Sequence, residues 1–257
     1  MVGRPALIAA LLLLVGVAPA GAITFEQVIQ RHLDWLAKTN NYYAEIWIKG
    51  AAQPLGTVFV DNTKTPREVD FQGSLPINGR PRELVIQGTR SNSRATLDRT
   101  RATQWSLPEG PFRQSFDLFA RGVPLKETCD RIKTISSDVQ VLENPVGGRV
   151  GVKMQIAPGF LGQMDALLDR MLLGASIPRD IDSTIWFDGN GRLARMVLQD
   201  GKPDMVVATL KYKETNVAAV RRAAIVPRMD LGRAKMYPNL IDLMKSVVTE
   251  EGAVNPN

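Results

Sequence analysis

Ser183-Thr184-Ile185-Trp186-Phe187, then Asp188-Gly189-Asn190-Gly191, then Leu193-Ala194-Arg195-Met196-Val197-Leu198-Gln199 decide the fold. Both outer runs are rich in β-branched, aromatic and long apolar residues, and the residues between them suit a tight hairpin turn. Asp200-Gly201 turns the chain again before Met205 to Tyr212. Two hairpins in succession predict three antiparallel strands, Ser183 to Phe187, Leu193 to Gln199 and Met205 to Tyr212. Apolar residues stand on both faces, since Ile185 alternates with Trp186 and Met196 with Val197. Such a sheet needs cover from helices, from a ligand, or from both.

Toward the N-terminus, Phe160 to Leu173 carries Phe160, Leu161, Met164, Leu167, Leu168, Met171 and Leu172 on one stripe and predicts a helix closed by Gly174. Strands are expected at Val139 to Leu142 and Val150 to Ile156, broken by Pro158-Gly159. Pro111 opens a helix bearing Phe112, Phe116 and Phe119, and a second short one holds Leu125, Cys129 and Ile132. Short strands precede these at Arg67 to Phe71, Glu83 to Gln87, Arg94 to Leu97 and Thr103 to Leu107, with Pro76, Asn78, Gly79, Gly88 and Asn92 as turn residues. Thr24 with Gln27 forms a capping box for a helix carrying Phe25, Val28, Ile29, His32, Leu33 and Leu36. Tyr42 to Lys49 alternates as a strand, and Gly56 to Val60 returns. The order is helix, antiparallel strands, central helices, more antiparallel strands. It predicts an α+β fold, one strongly curved antiparallel sheet with helices covering the concave face.

The first residues read as an export signal. Arg4 precedes an apolar run from Ala6 to Val17, and Ala18-Pro19-Ala20-Gly21-Ala22 places small residues before a cut after Ala20 or Ala22. An apolar core of roughly 7–15 residues with that exit is a signal peptide and too short for a membrane anchor. No Cys follows it, so a lipid-anchored N-terminus is not expected. The division expected is a signal peptide over 1–22, a half-barrel domain over 23–217 and a C-terminal extension over 218–257 with a helix over 238–248. The mature chain is expected to be soluble and periplasmic.

Composition removes several function classes. A formal charge of +6 over 257 residues is too dilute for nucleic acid. A single Cys129 cannot make an internal disulfide, so core burial must hold the fold, and a buried small side chain is its expected role. The one histidine, His32, lies on the apolar face of its helix, which disfavours His-rich metal sites and triads. Nucleophile elbow, Cys-x-x-Cys and phosphate-loop patterns are missing from the sequence. The Asp188 turn begins like a calcium loop, yet Arg192 stands where a ligand belongs and Gln199 where the bidentate Glu belongs. No catalytic residues, no metal and no cofactor are expected. Eight Arg against four acidic residues between Arg80 and Arg121 read as solvent-facing strand positions, or as a weakly basic rim for an anionic lipid head group or an acidic partner.

Three segments carry a family resemblance. These are Leu33-x-x-Leu36-x-x-Thr39-Asn40-Asn41-Tyr42-Tyr43-Ala44, Gly56-Thr57-Val58-Phe59-Val60 with Pro66, and the closing block from Ser183 through Gly191 to Leu198, Asp200-Gly201, Val206 to Tyr212 and Asn216. On them the chain resembles the periplasmic lipoprotein- and lipid-carrier superfamily of LolA, RseB and LppX. Thr65 stands where LolA proteins carry the Arg that helps hold their lid. The resemblance implies an open half-barrel whose apolar concave face holds acyl chains, lined here by Ile46, Ile48, Val58, Phe112, Phe116, Phe160, Met164, Leu168, Met171 and Trp186. The implied function is binding of lipid or of a lipoprotein's acyl chains for envelope transport and outer-membrane biogenesis, with a membrane protein as donor or acceptor. The alternative is a non-transporting interaction or envelope-stress module on the same fold.

Overall fold

Thr24 starts the first helix, α1 (Phe25–Lys38). Its hydroxyl accepts from the backbone N–H of Gln27, and the Gln27 side chain accepts in return from the Thr24 N–H. Phe25, Val28, Ile29, His32 and Leu36 form the buried face of α1. Pro124 opens α2 (Leu125–Ile135), whose buried residues are Thr128, Cys129 and Ile132. The computed structural model describes residues 23–64, 67–77, 80–89, 91–106, 122–144, 148–158, 181–199, 206–219, 221–222, 229, 231–239, 242–243 and 245–246. The expected signal peptide, the helices expected from Pro111 and over Phe160 to Leu173, and the Asp200-Gly201 turn lie outside them.

The strands are β1 (Asn41–Ile48), β2 (Gly56–Asp61), β3 (Glu68–Ile77), β4 (Arg80–Thr89), β5 (Asn92–Leu97), β6 (Arg101–Trp105), β7 (Ser136–Asn144), β8 (Arg149–Ile156), β9 (Asp182–Phe187), β10 (Leu193–Gln199), β11 (Val206–Thr215) and β12 (Lys235–Tyr237). They form one open 12-stranded sheet in the order β12-β6-β5-β4-β3-β2-β1-β11-β10-β9-β8-β7. Two meanders, β1 to β6 and β7 to β11, are joined where β1 pairs β11, from Tyr42 opposite Thr215 to Ile48 opposite Ala208. Every pair is antiparallel except β12 on β6. The predicted closing meander stands as β9, β10 and β11.

Two parts differ from the sequence reading. β3 and β4 span Glu68–Ile77 and Arg80–Thr89, where shorter strands at Arg67 to Phe71 and Glu83 to Gln87 were expected. Beyond Ser74 and Glu83, among the described residues, these strands pair only with each other, and a proline is tolerated on such a two-stranded extension. β12 was not expected. Three residues carry too little pattern to be read, and the strand exists because β6 offers an open edge. In the C-terminal extension Asn239 Oδ1 accepts from the Asp242 N–H, capping the helical turn where a helix was expected.

The main core joins the helices to one end of the sheet. Phe25, Val28, Ile29, Cys129, Ile132, Val152, Met154 and Phe187 are its buried members, with Ile185, Val139, Val141 and Leu193 packed against them. Each such side chain contributes roughly 1.5–3 kcal/mol on burial. Among the described residues, α1 and α2 therefore cover the β7–β10 end of one face, not its whole length. No described helix is long and apolar enough to cross a membrane.

Candidate functional site: an apolar sheet face

Register fixes which side chains share the helix-bearing face. From the core outward, Val152 pairs Ile185, Ile185 pairs Met196, Met196 pairs Ala208, and Ala208 pairs Ile48. A second row on this face runs Tyr212, Ala44, Val58, Phe71, Ile86, Ala95. Side chains alternate along a strand, so Ile46, between Ala44 and Ile48 in that alternation, belongs here too. The face is thus apolar across strands β8 to β5. Ala44, Val58 and Val60 are its buried centre, with Tyr42, Ile46, Val69 and Tyr212 packed around them. Ile46, Ile48, Met196, Phe71 and Ile86 are half-buried.

Of the residues expected to line an acyl site, Ile46, Ile48 and Val58 come together here. Trp186 does not. It pairs Arg195, which pairs Thr209, which pairs Trp47, and this row belongs to the opposite face. The correction follows from the period of two: Ile185 faces the core, so its neighbour Trp186 faces away. Its ring lies over Gly151, where a methyl would stand 3.0 Å from it. Phe112, Phe116, Phe160, Met164, Leu168 and Met171 lie outside the described residues.

An aromatic joint closes the face beside α1. Trp35, Tyr42 and Tyr212 stand with ring centroids 5.3–5.5 Å apart, and His32 stacks on Trp35 at 5.7 Å. The Tyr212 hydroxyl donates to the Leu193 carbonyl at 2.9 Å. Burial raises the pKa of both Tyr42 and Tyr212, so both are neutral phenols. His32 is buried, and desolvation lowers its pKa to about 4. It is therefore neutral near pH 7, and its Nδ1–H donates to the Gly191 carbonyl at 2.7 Å. Its place on the apolar face of α1, expected from the sequence, thus comes with a satisfied polar atom. The Asp188 turn is likewise closed on itself: Asp188 accepts from the N–H groups of Asn190 and Arg192 and holds the Arg192 guanidinium at 2.6 Å.

An asparagine knot ties the ends of α1, β1, β2 and β11. Asn40 N–H donates to Asn216 Oδ1, Asn62 N–H to the Asn40 carbonyl, and Asn41 exchanges both its amide groups with the backbone of Val217. Asn40, Asn41 and Asn216 belong to the segments singled out in the sequence.

Sequence reasoning missed one cluster on the opposite face. Arg222 reaches Asp61 at 3.0 Å, Glu68 at 3.0 Å and Asp70 at 3.5 Å, and its guanidinium lies 4.8 Å from the Phe59 ring centre. Asp61 is the register partner of Glu68, so two carboxylates oppose each other and need a cation. Burial, then repulsion from Glu68, raises the Asp70 pKa to about 6. The alternation Glu68-Val69-Asp70 was the available signal, but nothing local points to Arg222.

No family model matches the sequence. No curated protein matches it. Among solved structures the chain is similar to the crystal structure of LprF from Mycobacterium bovis, at 11% identity over 82% of this chain and 97% of that chain, with a TM-score of 0.37. A likeness of that size is too slight to assign a family or a ligand.

Proposed function

We propose that this is an exported protein that binds lipid, or the acyl chains of a lipoprotein, on the apolar sheet face, in the service of envelope lipid or lipoprotein transport. The observation that carries the reading is the continuity of that face from Val152 to Ile48 and from Tyr212 to Ala95, with Ile46, Ile48, Met196 and Phe71 only half-buried. The family resemblance in the sequence supports it. On this reading the sheet curls with the apolar face inward, and helices cover its concave side. One fully buried sixteen-carbon chain is worth roughly 13 kcal/mol, too tight for reversible carriage. A working carrier would bury only part of the chain or displace its own cover, and hand the cargo to a membrane protein.

Export by cleavage is open to a direct test at Ile23. The Ile23 N–H donates to Glu143 Oε1 at 3.1 Å, and a cut after Ala22 would make that group an ammonium facing a carboxylate. N-terminal mass analysis of the exported protein should give Ile23 or Gly21; an intact Met1 would reject export by cleavage.

The decisive experiment is mass spectrometry of lipid extracted from natively purified protein, with uptake of an apolar fluorescent probe by the delipidated form. Bound lipid with competitive probe uptake is expected. Lipid-free protein that takes up no probe but holds a tight protein partner would establish the interaction or stress-regulatory module instead.

A further inference from the structure

Gly56 on β2 and Gly73 on β3 are register partners on the apolar face. Ile46 flanks the pair on β1 and Leu84 on β4, since Ile46 pairs Gly56 and Gly73 pairs Leu84. Between those two side chains lie about three strand spacings, roughly 14 Å, without a single Cβ. This gap is filled from the side. A methyl group at Gly56 would stand 2.7 Å from Cε2 of Phe71, and one at Gly73 would lie closer still to its Cζ. The Phe71 ring therefore reaches across both glycines, close to the backbone, where a strand side chain ordinarily stands up from the sheet. The ring is half-buried, and its neighbours in its own row are Val58 and Ile86.

We infer that Phe71 is the floor of the acyl site and sets its depth, so that it selects cargo by the bulk of the chain. The inference rests on the lipid-binding reading above. With the ring down, the dip between Ile46 and Leu84 is shallow and fits a straight saturated chain. A methyl-branched chain needs the ring displaced, and that displacement disfavours it. The two glycines are what let the ring lie low. Bulk at either would also press on backbone, because a methyl at Gly56 meets the Gln72 carbonyl and one at Gly73 the Leu55 carbonyl, each at 2.5 Å. The test therefore varies the ring and leaves the glycines alone.

Delipidated full-length protein is offered an equimolar mixture of hexadecanoic acid and its tetramethyl-branched analogue, and the bound ratio is read by native mass spectrometry. Wild type should hold the straight acid in excess. Phe71→Ala should move the ratio toward the branched acid by about fourfold or more, the worth of one buried methylene. Phe71→Leu, which keeps an apolar side chain without a ring, should move it in the same direction if Phe71→Ala fails to fold. An unchanged ratio in a folded variant, while wild type binds both acids, overturns the role of Phe71 and leaves lipid binding standing. A wild type that binds neither acid overturns both.

Discussion

Nδ1 of His32 lies 2.7 Å from the carbonyl oxygen of Gly191, and this contact seats α1 on the β9–β10 hairpin. The approach is close throughout: a methyl at Gly191, whose φ is +78°, would stand 2.5 Å from the Arg31 carbonyl oxygen. The imidazole, its stacking partner Trp35 and the Tyr42–Tyr212 pair thus form one block between the helical core and the apolar face.

Folding should depend on pH through His32. Its folded pKa of about 4 lies below the unfolded 6.5, so the unfolded chain binds the proton more readily. The stability it contributes is complete above pH 6.5 and is lost as pH falls toward 4, by about 3 kcal/mol. His32→Leu should flatten that contribution at the expense of the bond to Gly191. Urea midpoints at pH 7 and pH 4.5 check this, and an equal acid loss in both proteins would reject it.

Asp70 should act with the opposite sign. Its folded pKa of about 6 lies above the unfolded 3.8, so its contribution is most favourable below pH 3.8 and is lost as pH rises through 6. Asp70→Asn keeps the shape and removes the repulsion from Glu68. It should raise stability by about 1–2 kcal/mol at pH 8, less than the full shift because the Arg222 contact weakens too, and should change little at pH 4. Melting temperatures at the two pH values decide it. Between pH 4 and 6 the His32 and Asp70 contributions offset each other in the wild type.

Cys129 is buried in the main core, and burial raises its pKa. A bulky maleimide should react with it slowly in native buffer and fast in denaturant. Equal rates would show an accessible thiol.

Much of the strand order was legible because each hairpin writes its own period and turn. Ser183 to Gln199 shows alternation broken by Asp-Gly-Asn-Gly, and the capping box at Thr24 needs only residues three apart. Face assignment was harder. Trp186 and Ile185 are both apolar, so the sequence alone does not say which one faces inward; Phe25 and Val28, packed against the strand that pairs β9, decide it. The Phe71 floor was hidden for a related reason. Gly56 and Gly73 stand seventeen residues apart, and only register sets them side by side. The Arg222 cluster joins residues more than 150 positions apart, beyond any periodicity.

Arg222 should prove the residue on which the C-terminal segment depends. It is the cation shared by Asp61, Glu68 and Asp70, and the carboxylates of Asp61 and Asp70 are only 8% and 6% exposed. Arg222→Ala leaves buried negative charge without its partner, which costs about 3 kcal/mol or more. Arg222→Lys should restore only part, because one ammonium cannot span the two carboxylates that the guanidinium fork meets at 3.0 Å. The loss should appear twice, as a lowered melting temperature and as faster proteolysis beyond Val217. Adding Asp70→Asn to Arg222→Ala removes one of the stranded charges and should recover stability, more at pH 8 than at pH 5, where Asp70 is already largely protonated. Absence of recovery at either value would mean that the loss came from the packing of Arg222 on Phe59, and not from the carboxylates.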